Sequence, residues 1–119
     1  MTLQLRPSDL AAWRASLPDG VAPIVLDVRE PWELQTASVR ENGFRLVHIP
    51  MREVPARLAE LQGSGENGLD QPIACLCHHG MRSLQVANYL AQSGFTGVVN
   101  LQGGIDAWSA EVDSAVPRY

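Results

Sequence analysis

The residues with the most chemistry in the shortest span lie in Pro72–Ser83, PIACLCHHGMRS. An apolar run, Pro72–Leu76, delivers a thiol at Cys77; four residues intervene, and then Arg82 and Ser83 open a helical pattern. In open α/β sheets ligands bind beyond the carboxyl ends of the strands, which is where this order puts Cys77. A loop entering a helix offers unpaired backbone N–H groups and the positive end of the helix dipole. Those donors favour a thiolate, and the thiolate is the reactive form of the sulfur. Gly80 has the backbone freedom that lets such a loop curl around an anion. Arg82 adds a permanent charge and a planar fork of donors suited to an oxyanion. The pattern offers a sulfur nucleophile held beside an anion site.

The elements that must position this loop show in the hydrophobic period and in the turn residues. Leu3–Leu5 reads as a short edge strand. Ser8 and Asp9 are placed to cap a first helix with Leu10, Trp13 and Leu17 at helical spacing. Pro18-Asp19-Gly20 ends it. Ile24–Val28 is apolar except for Asp27, the pattern of a strand buried on both faces. Glu30-Pro31 starts a second helix. Arg45–Ile49 is a weaker strand closed by Pro50. A short helix follows, with Pro55 in its first turn and Val54, Leu58 and Leu61 facing inward. Gly63–Gln71 (GSGENGLDQ) is a polar, glycine-rich loop. Ser83–Gly94 reads as a helix with Leu84, Ala87, Leu90 and Ala91 on its apolar stripe. Gly97–Asn100 gives a last strand, Ile105–Trp108 belongs to a closing helix, and Val112–Tyr119 is a tail. Strands alternating with helices predict an α/β fold: a small, mainly parallel sheet flanked by helices on both faces.

At 119 residues, with 45% hydrophobic and 18% charged residues, the chain is expected to form one globular domain over residues 1–119. A net charge of -4 without a basic stripe argues against nucleic acid as a partner. A pocket can still attract an anion against the sign of the whole molecule. The start, MTLQLRPSDL, does not look like a secretory leader, and no apolar run is long enough to span a bilayer. Two cysteines one residue apart do not make a disulfide framework, so a reducing cytoplasmic setting is expected.

Three segments carry a family resemblance. CHHGMRS, Cys77–Ser83, resembles the active-site loop of rhodanese-type sulfurtransferases, where a cysteine leads a short cradle ending in Arg-Ser. Leu26–Glu33, LDVREPWE, resembles the family's LDVRE-P-x-E stretch, and Leu101–Trp108, LQGGIDAW, its LxGGxxAW signature. They occur in the family's order and span most of the chain. One departure is local: the family's Gly-His-Ile-Pro-Gly-Ala piece is replaced by the stretch around Ser38–Phe44, while Val47–Met51 resembles the strand that ends in Ile-Pro. The resemblance implies a rhodanese-like fold and a sulfurtransferase that uses no cofactor. It implies that Cys77 takes sulfane sulfur as a persulfide from an anionic donor such as thiosulfate and yields it to a small-molecule or protein thiol acceptor. Cys77 and Arg82 are then the catalytic residues, and His78, His79, Gly80, Met81 and Ser83 bind the substrate.

Each of these residues also has a plainer reading. Cys77 can be an inert core cysteine. Cys75, on the same face of its strand, is read as packing rather than as a resolving thiol, since a Cys-x-Cys bridge is geometrically awkward. Cys75, Cys77, His78 and His79 are too crowded to surround one tetrahedral ion, so no metal is expected. His48 is read as structural or exposed, and the two histidines of the loop as lining the cradle. Arg82 at a helix start is disfavoured by the dipole unless an anion is nearby. Asp27 needs a partner inside an apolar strand, and Arg29 is the candidate. Trp32 and Met81 are candidates for an apolar rim, and Gly103-Gly104 for a tight turn. Three other functions share these features. A rhodanese-related phosphatase needs five residues between cysteine and arginine, against four here. A non-catalytic rhodanese-like binding module usually lacks the cysteine. A sulfur-relay carrier uses the same chemistry with a protein partner.

Overall fold

Strands with apolar residues at successive positions must be covered on both sides, and the central strands are. The computed structural model describes residues 2–63 and 68–119. Five strands, β1 (Leu3–Leu5), β2 (Ile24–Asp27), β3 (Arg45–His48), β4 (Ile73–Leu76) and β5 (Val98–Leu101), form one sheet in the order β1-β5-β4-β2-β3. Every pairing is parallel, with Leu26 opposite Cys75 and Asp27 opposite Leu76. Among the described residues four α-helices accompany the strands: α1 (Leu10–Ala15), α2 (Pro31–Thr36), α3 (Met81–Gln92) and α4 (Gly104–Glu111).

Side chains alternate across each strand, which divides the core in two. Ile24, Leu26, Ile73, Cys75 and Cys77 pack with Val86, Ala87 and Leu90 of α3 and with Val54 and Leu61. Val25, Ala74, Leu76, Val99 and Leu101 face the other way, onto Leu10 of α1 and Ile105 and Trp108 of α4. The α/β sheet covered on both faces is thus as the alternating pattern predicts.

Several local readings change. Helix α1 follows a 3₁₀ turn, Pro7–Asp9, no side chain caps it, and Leu17 lies beyond its end. The segment Met51–Leu61 is 3₁₀ rather than α, with Pro55 at its middle and a kink at Arg57. Proline has no N–H and its ring crowds the carbonyl four residues back, so the i→i−4 ladder cannot run through Pro55. Helix α3 begins two residues earlier than its apolar period suggests. Its buried stripe is Ser83, Val86, Ala87 and Leu90, leaving Leu84 half-buried and Ala91 exposed. Of the Gly63–Gln71 loop, residues 64–67 lie outside the described residues, and Gly68–Asp70 is a 3₁₀ turn. Among the described residues no helix is long and apolar enough to cross a membrane.

Candidate active site

Strand β4 stops at Leu76, so Cys77 is the first residue beyond its carboxyl end. The chain then curls through His78, His79 and Gly80 into α3, and the Gly80 N–H donates to Cys77 Sγ at 3.0 Å. Gly80 caps α3 at φ 100°, a left-handed angle. A Cβ there would also stand 3.0 Å from the Gly103 nitrogen, so space and backbone angle both call for glycine.

A second helix start holds the loop from beneath. The first-turn N–H groups of a helix have no partner within it. In α4 two of them find the loop: Ile105 N–H donates to the Cys77 carbonyl at 2.8 Å and Asp106 N–H to the His78 carbonyl at 3.2 Å. Gly104, at φ 61°, lets the backbones meet; a Cβ at that position would lie 2.4 Å from the Cys77 carbonyl oxygen. Gly103-Gly104 is therefore more than a turn. From β5, the Asn100 amide donates to the Gly80 carbonyl at 3.1 Å while its oxygen accepts from the buried Ser83 hydroxyl at 2.6 Å. The Ser83 side chain thus braces the cradle from the protein side.

Arg82 has an anion beside it, supplied by the protein. Its Nη1 and Nη2 donate to the two Glu33 carboxylate oxygens at 2.6 and 2.8 Å. Glu33 is buried in α2, whose start is organised by Pro31 at its first position and by Glu30 N–H donating to Glu33 Oε1 at 3.1 Å. The Arg82 hydrogen bonds hold the Glu33 carboxyl down at about 2, against the opposing effect of burial and with help from the Tyr119 hydroxyl. That hydroxyl donates to Glu33 Oε2 at 2.6 Å and accepts from Arg29 Nη1 at 3.0 Å. Arg29, fully buried, forks Asp27 at 2.7 and 2.9 Å and donates to the Ala37 carbonyl at 2.8 Å. This is the Asp27–Arg29 pairing that the apolar strand demands. One polar chain thus runs from the strand β2 to Arg82.

The other loop residues are spread differently. The His78 ring stacks on Tyr119 at 3.8 Å and on His79 at 3.9 Å. Its Nε2 is a buried side-chain polar atom without a partner among the described residues. His79 is exposed, and Met81 (70% exposed) and Trp32 (61%) stand at the surface, with Trp32 edge-on to Tyr119. Cys75 is fully buried; burial, and then the charge of Cys77, push its thiol up, as suits a packing residue. His48 Nε2 pairs with the Arg29 carbonyl at 2.7 Å, a structural contact. Sequence reasoning misses Glu33, Asn100 and Tyr119. Glu33 could be found as a buried acid in need of a cation; Tyr119, in a featureless tail, sends no signal.

Residues 10–111 match the Rhodanese-like domain family. A thiosulfate sulfurtransferase from Pseudoalteromonas translucida is 33% identical over 95 residues, covering 80% of this chain and 81% of the relative. A chloroplastic rhodanese-like/PpiC domain-containing protein of Arabidopsis thaliana is 37% identical over 95 residues, and there the match spans 30% of the relative's length. Among solved structures, a rhodanese-related protein from Thermoplasma volcanium superposes with a TM-score of 0.71 at 30% identity, over 92% of this chain and 93% of that one. The chain belongs to the rhodanese-like domain family.

Proposed function

We propose that this chain is a sulfurtransferase that carries sulfane sulfur on Cys77 as a persulfide. The observation that carries the reading is the Gly80 N–H donating to Cys77 Sγ at 3.0 Å, in a loop that leads straight into α3. A thiolate so placed attacks the outer sulfur of a donor such as thiosulfate. The donor S–S bond breaks, sulfite leaves with the electron pair, and a new S–S bond forms at Cys77. An acceptor thiolate then attacks the outer sulfur of the persulfide and releases the Cys77 thiolate. One transfer becomes two displacements.

The residues of the cradle take roles that follow from where they stand. Gly80 and the first-turn N–H groups of α3 at Met81, Arg82 and Ser83 stabilise the sulfur anions, as an oxyanion hole does. Arg82 and Glu33 together fix the mouth of the loop. The unpartnered His78 Nε2 offers a hydrogen bond to the bound sulfur species. His79 and Met81, exposed at the rim, meet the incoming donor or acceptor. The relative named a thiosulfate sulfurtransferase supports this reading, and so does the spacing of four residues between Cys77 and Arg82, which is short for a phosphatase cradle. The protein would work in the cytosol, where a free thiol persists.

The test is steady-state sulfur transfer with three proteins. Cys77→Ser should abolish transfer, because a hydroxyl cannot form a persulfide, while Cys75→Ser retains most of it. Activity in a folded Cys77→Ser protein would end the proposal.

A further inference from the structure

The distribution of positive charge bears on which donor this site takes. All nine cationic side chains are arginines, and the chain has no lysine. Around the cradle three are hydrogen-bonded to carboxylates, Arg29 to Asp27, Arg82 to Glu33 and Arg118 to Asp106, while the 85% exposed Arg52 side chain stands 4.0 Å from Glu30. Arg14 and Arg45 have no carboxylate partner among the described residues, and they lie elsewhere. Arg45 opens β3, and Arg14 lines a cleft with the loop that precedes β2. In an all-parallel sheet that is the end opposite to Cys77, which follows the last residue of β4.

A thiosulfate dianion arriving at Cys77 therefore meets, among the described residues, only arginines that already have a carboxylate within 4.0 Å. To use the Arg82 fork it must displace an ionised carboxylate that the Tyr119 hydroxyl also holds, at 2.6 Å. Backbone N–H groups and the dipole of α3 amount to about half a unit of positive charge, less than a dianion needs. The rim carries apolar surface, Trp32, Met81 and the ring of Tyr119 against Trp32, beside the exposed imidazole of His79.

We propose that Glu33 is a specificity-determining residue that makes the cradle select an organic persulfide, R–S–SH, over thiosulfate as sulfur donor. This rests on the reading of Cys77 as the sulfur carrier. Such a donor carries at most one negative charge and brings a carbon substituent for the rim. The Cys77 thiolate attacks its terminal sulfur, the R–S–S bond breaks, and R–S⁻ leaves with the electron pair. The sulfur and its proton stay on Cys77, and no oxidant or reductant is consumed.

The experiment compares kcat/KM for 2-hydroxyethyl persulfide and for thiosulfate at about pH 8.5, above the ordinary imidazole range near 6.5. The wild-type protein should favour the persulfide. In Glu33→Gln the thiosulfate-to-persulfide ratio should rise about tenfold or more, because the amide frees the Arg82 fork from a full opposing charge. A second arm needs no variant. Raising salt from about 20 to about 200 mM should leave wild-type kcat/KM for thiosulfate flat or raise it, since an open cationic site would lose rate steeply. A wild-type preference for thiosulfate, a steep fall with salt, or a ratio that drops in Glu33→Gln would each overturn the inference while Cys77 labelling stands. Absence of sulfur on Cys77 with either donor would instead remove the underlying reading, and this inference with it.

Discussion

Replacing Arg82 with methionine keeps a long side chain at the start of α3 and removes the fork from Glu33. The Glu33 side chain is only 4% exposed and would lose two charge-assisted hydrogen bonds of 2.6 and 2.8 Å, keeping the Tyr119 hydroxyl and the Glu30 N–H. In the wild type the carboxyl lies at about 2 instead of the ordinary 4.5. At about 1.4 kcal/mol per pH unit, that span corresponds to about 3 kcal/mol, in which the Arg82 hydrogen bonds are the largest cause and the Tyr119 hydroxyl and the Glu30 N–H hold a share. The Arg82 side chain is 37% exposed, so solvent screens part of it, and about 2 kcal/mol is the expected loss. Because the folded-state value is lowered, the stabilisation is complete above the unfolded carboxyl's range and fades as pH falls towards about 2. Denaturant unfolding of both proteins across pH measures it. The gap should be about 2 kcal/mol near pH 7 and shrink progressively below about pH 4.5. A gap that is absent at neutral pH, or that stays constant into acid, would refute the argument.

Arg82→Ala should lower kcat/KM for sulfur transfer by about tenfold or more, since it leaves the ionised Glu33 facing an anionic donor; wild-type kinetics would reduce Arg82 to a stabilising residue. Gly104→Ala should destabilise by about 2 kcal/mol or more, because a left-handed angle is combined with a Cβ 2.4 Å from the Cys77 carbonyl oxygen. Gly20→Ala, at φ 80° but with nothing within 4 Å, should cost only the backbone term of about 1–2 kcal/mol, and equal losses in the two variants would discount the contact beneath the cradle. Ser83→Ala, which leaves the buried Asn100 oxygen without its 2.6 Å donor, should cost about 1–3 kcal/mol in chemical denaturation. Chelator treatment should leave sulfur transfer unaltered, because the two loop imidazoles stack face to face rather than converging with the thiols; loss of activity with release of stoichiometric zinc would contradict this.

What the sequence makes legible is what local period and turn chemistry encode. The runs around Val25 and Ala74 can only be covered strands, and that places Cys77 at a carboxyl end of the sheet. Asp27 demands a cation, and Arg29 is two residues away. Long-range partners are another matter. Glu33 and Arg82 are 49 positions apart, and the Arg29–Tyr119 bond joins residues 90 apart. No periodicity connects these, so Arg82 on its own reads as waiting for a substrate anion when a protein carboxylate already fills its fork. The α4 start beneath the cradle is hidden for the same reason: Gly103-Gly104 looks like a turn until the Cys77 and His78 carbonyls are brought against it. The 3₁₀ segment around Pro55 and the rotated stripe of α3 are smaller misses, in which packing decides between apolar positions that the period alone leaves equivalent.

The central claim is that Cys77 holds the transferred sulfur, and intact mass spectrometry followed by peptide mapping tests it most directly. The protein is reduced, freed of thiol, and incubated separately with thiosulfate and with an alkyl persulfide. A mass increase of one sulfur atom, mapped to Cys77 and removed by added thiol, is the predicted result. An unchanged mass with both donors, or a sulfur mapped only to Cys75, would contradict the account.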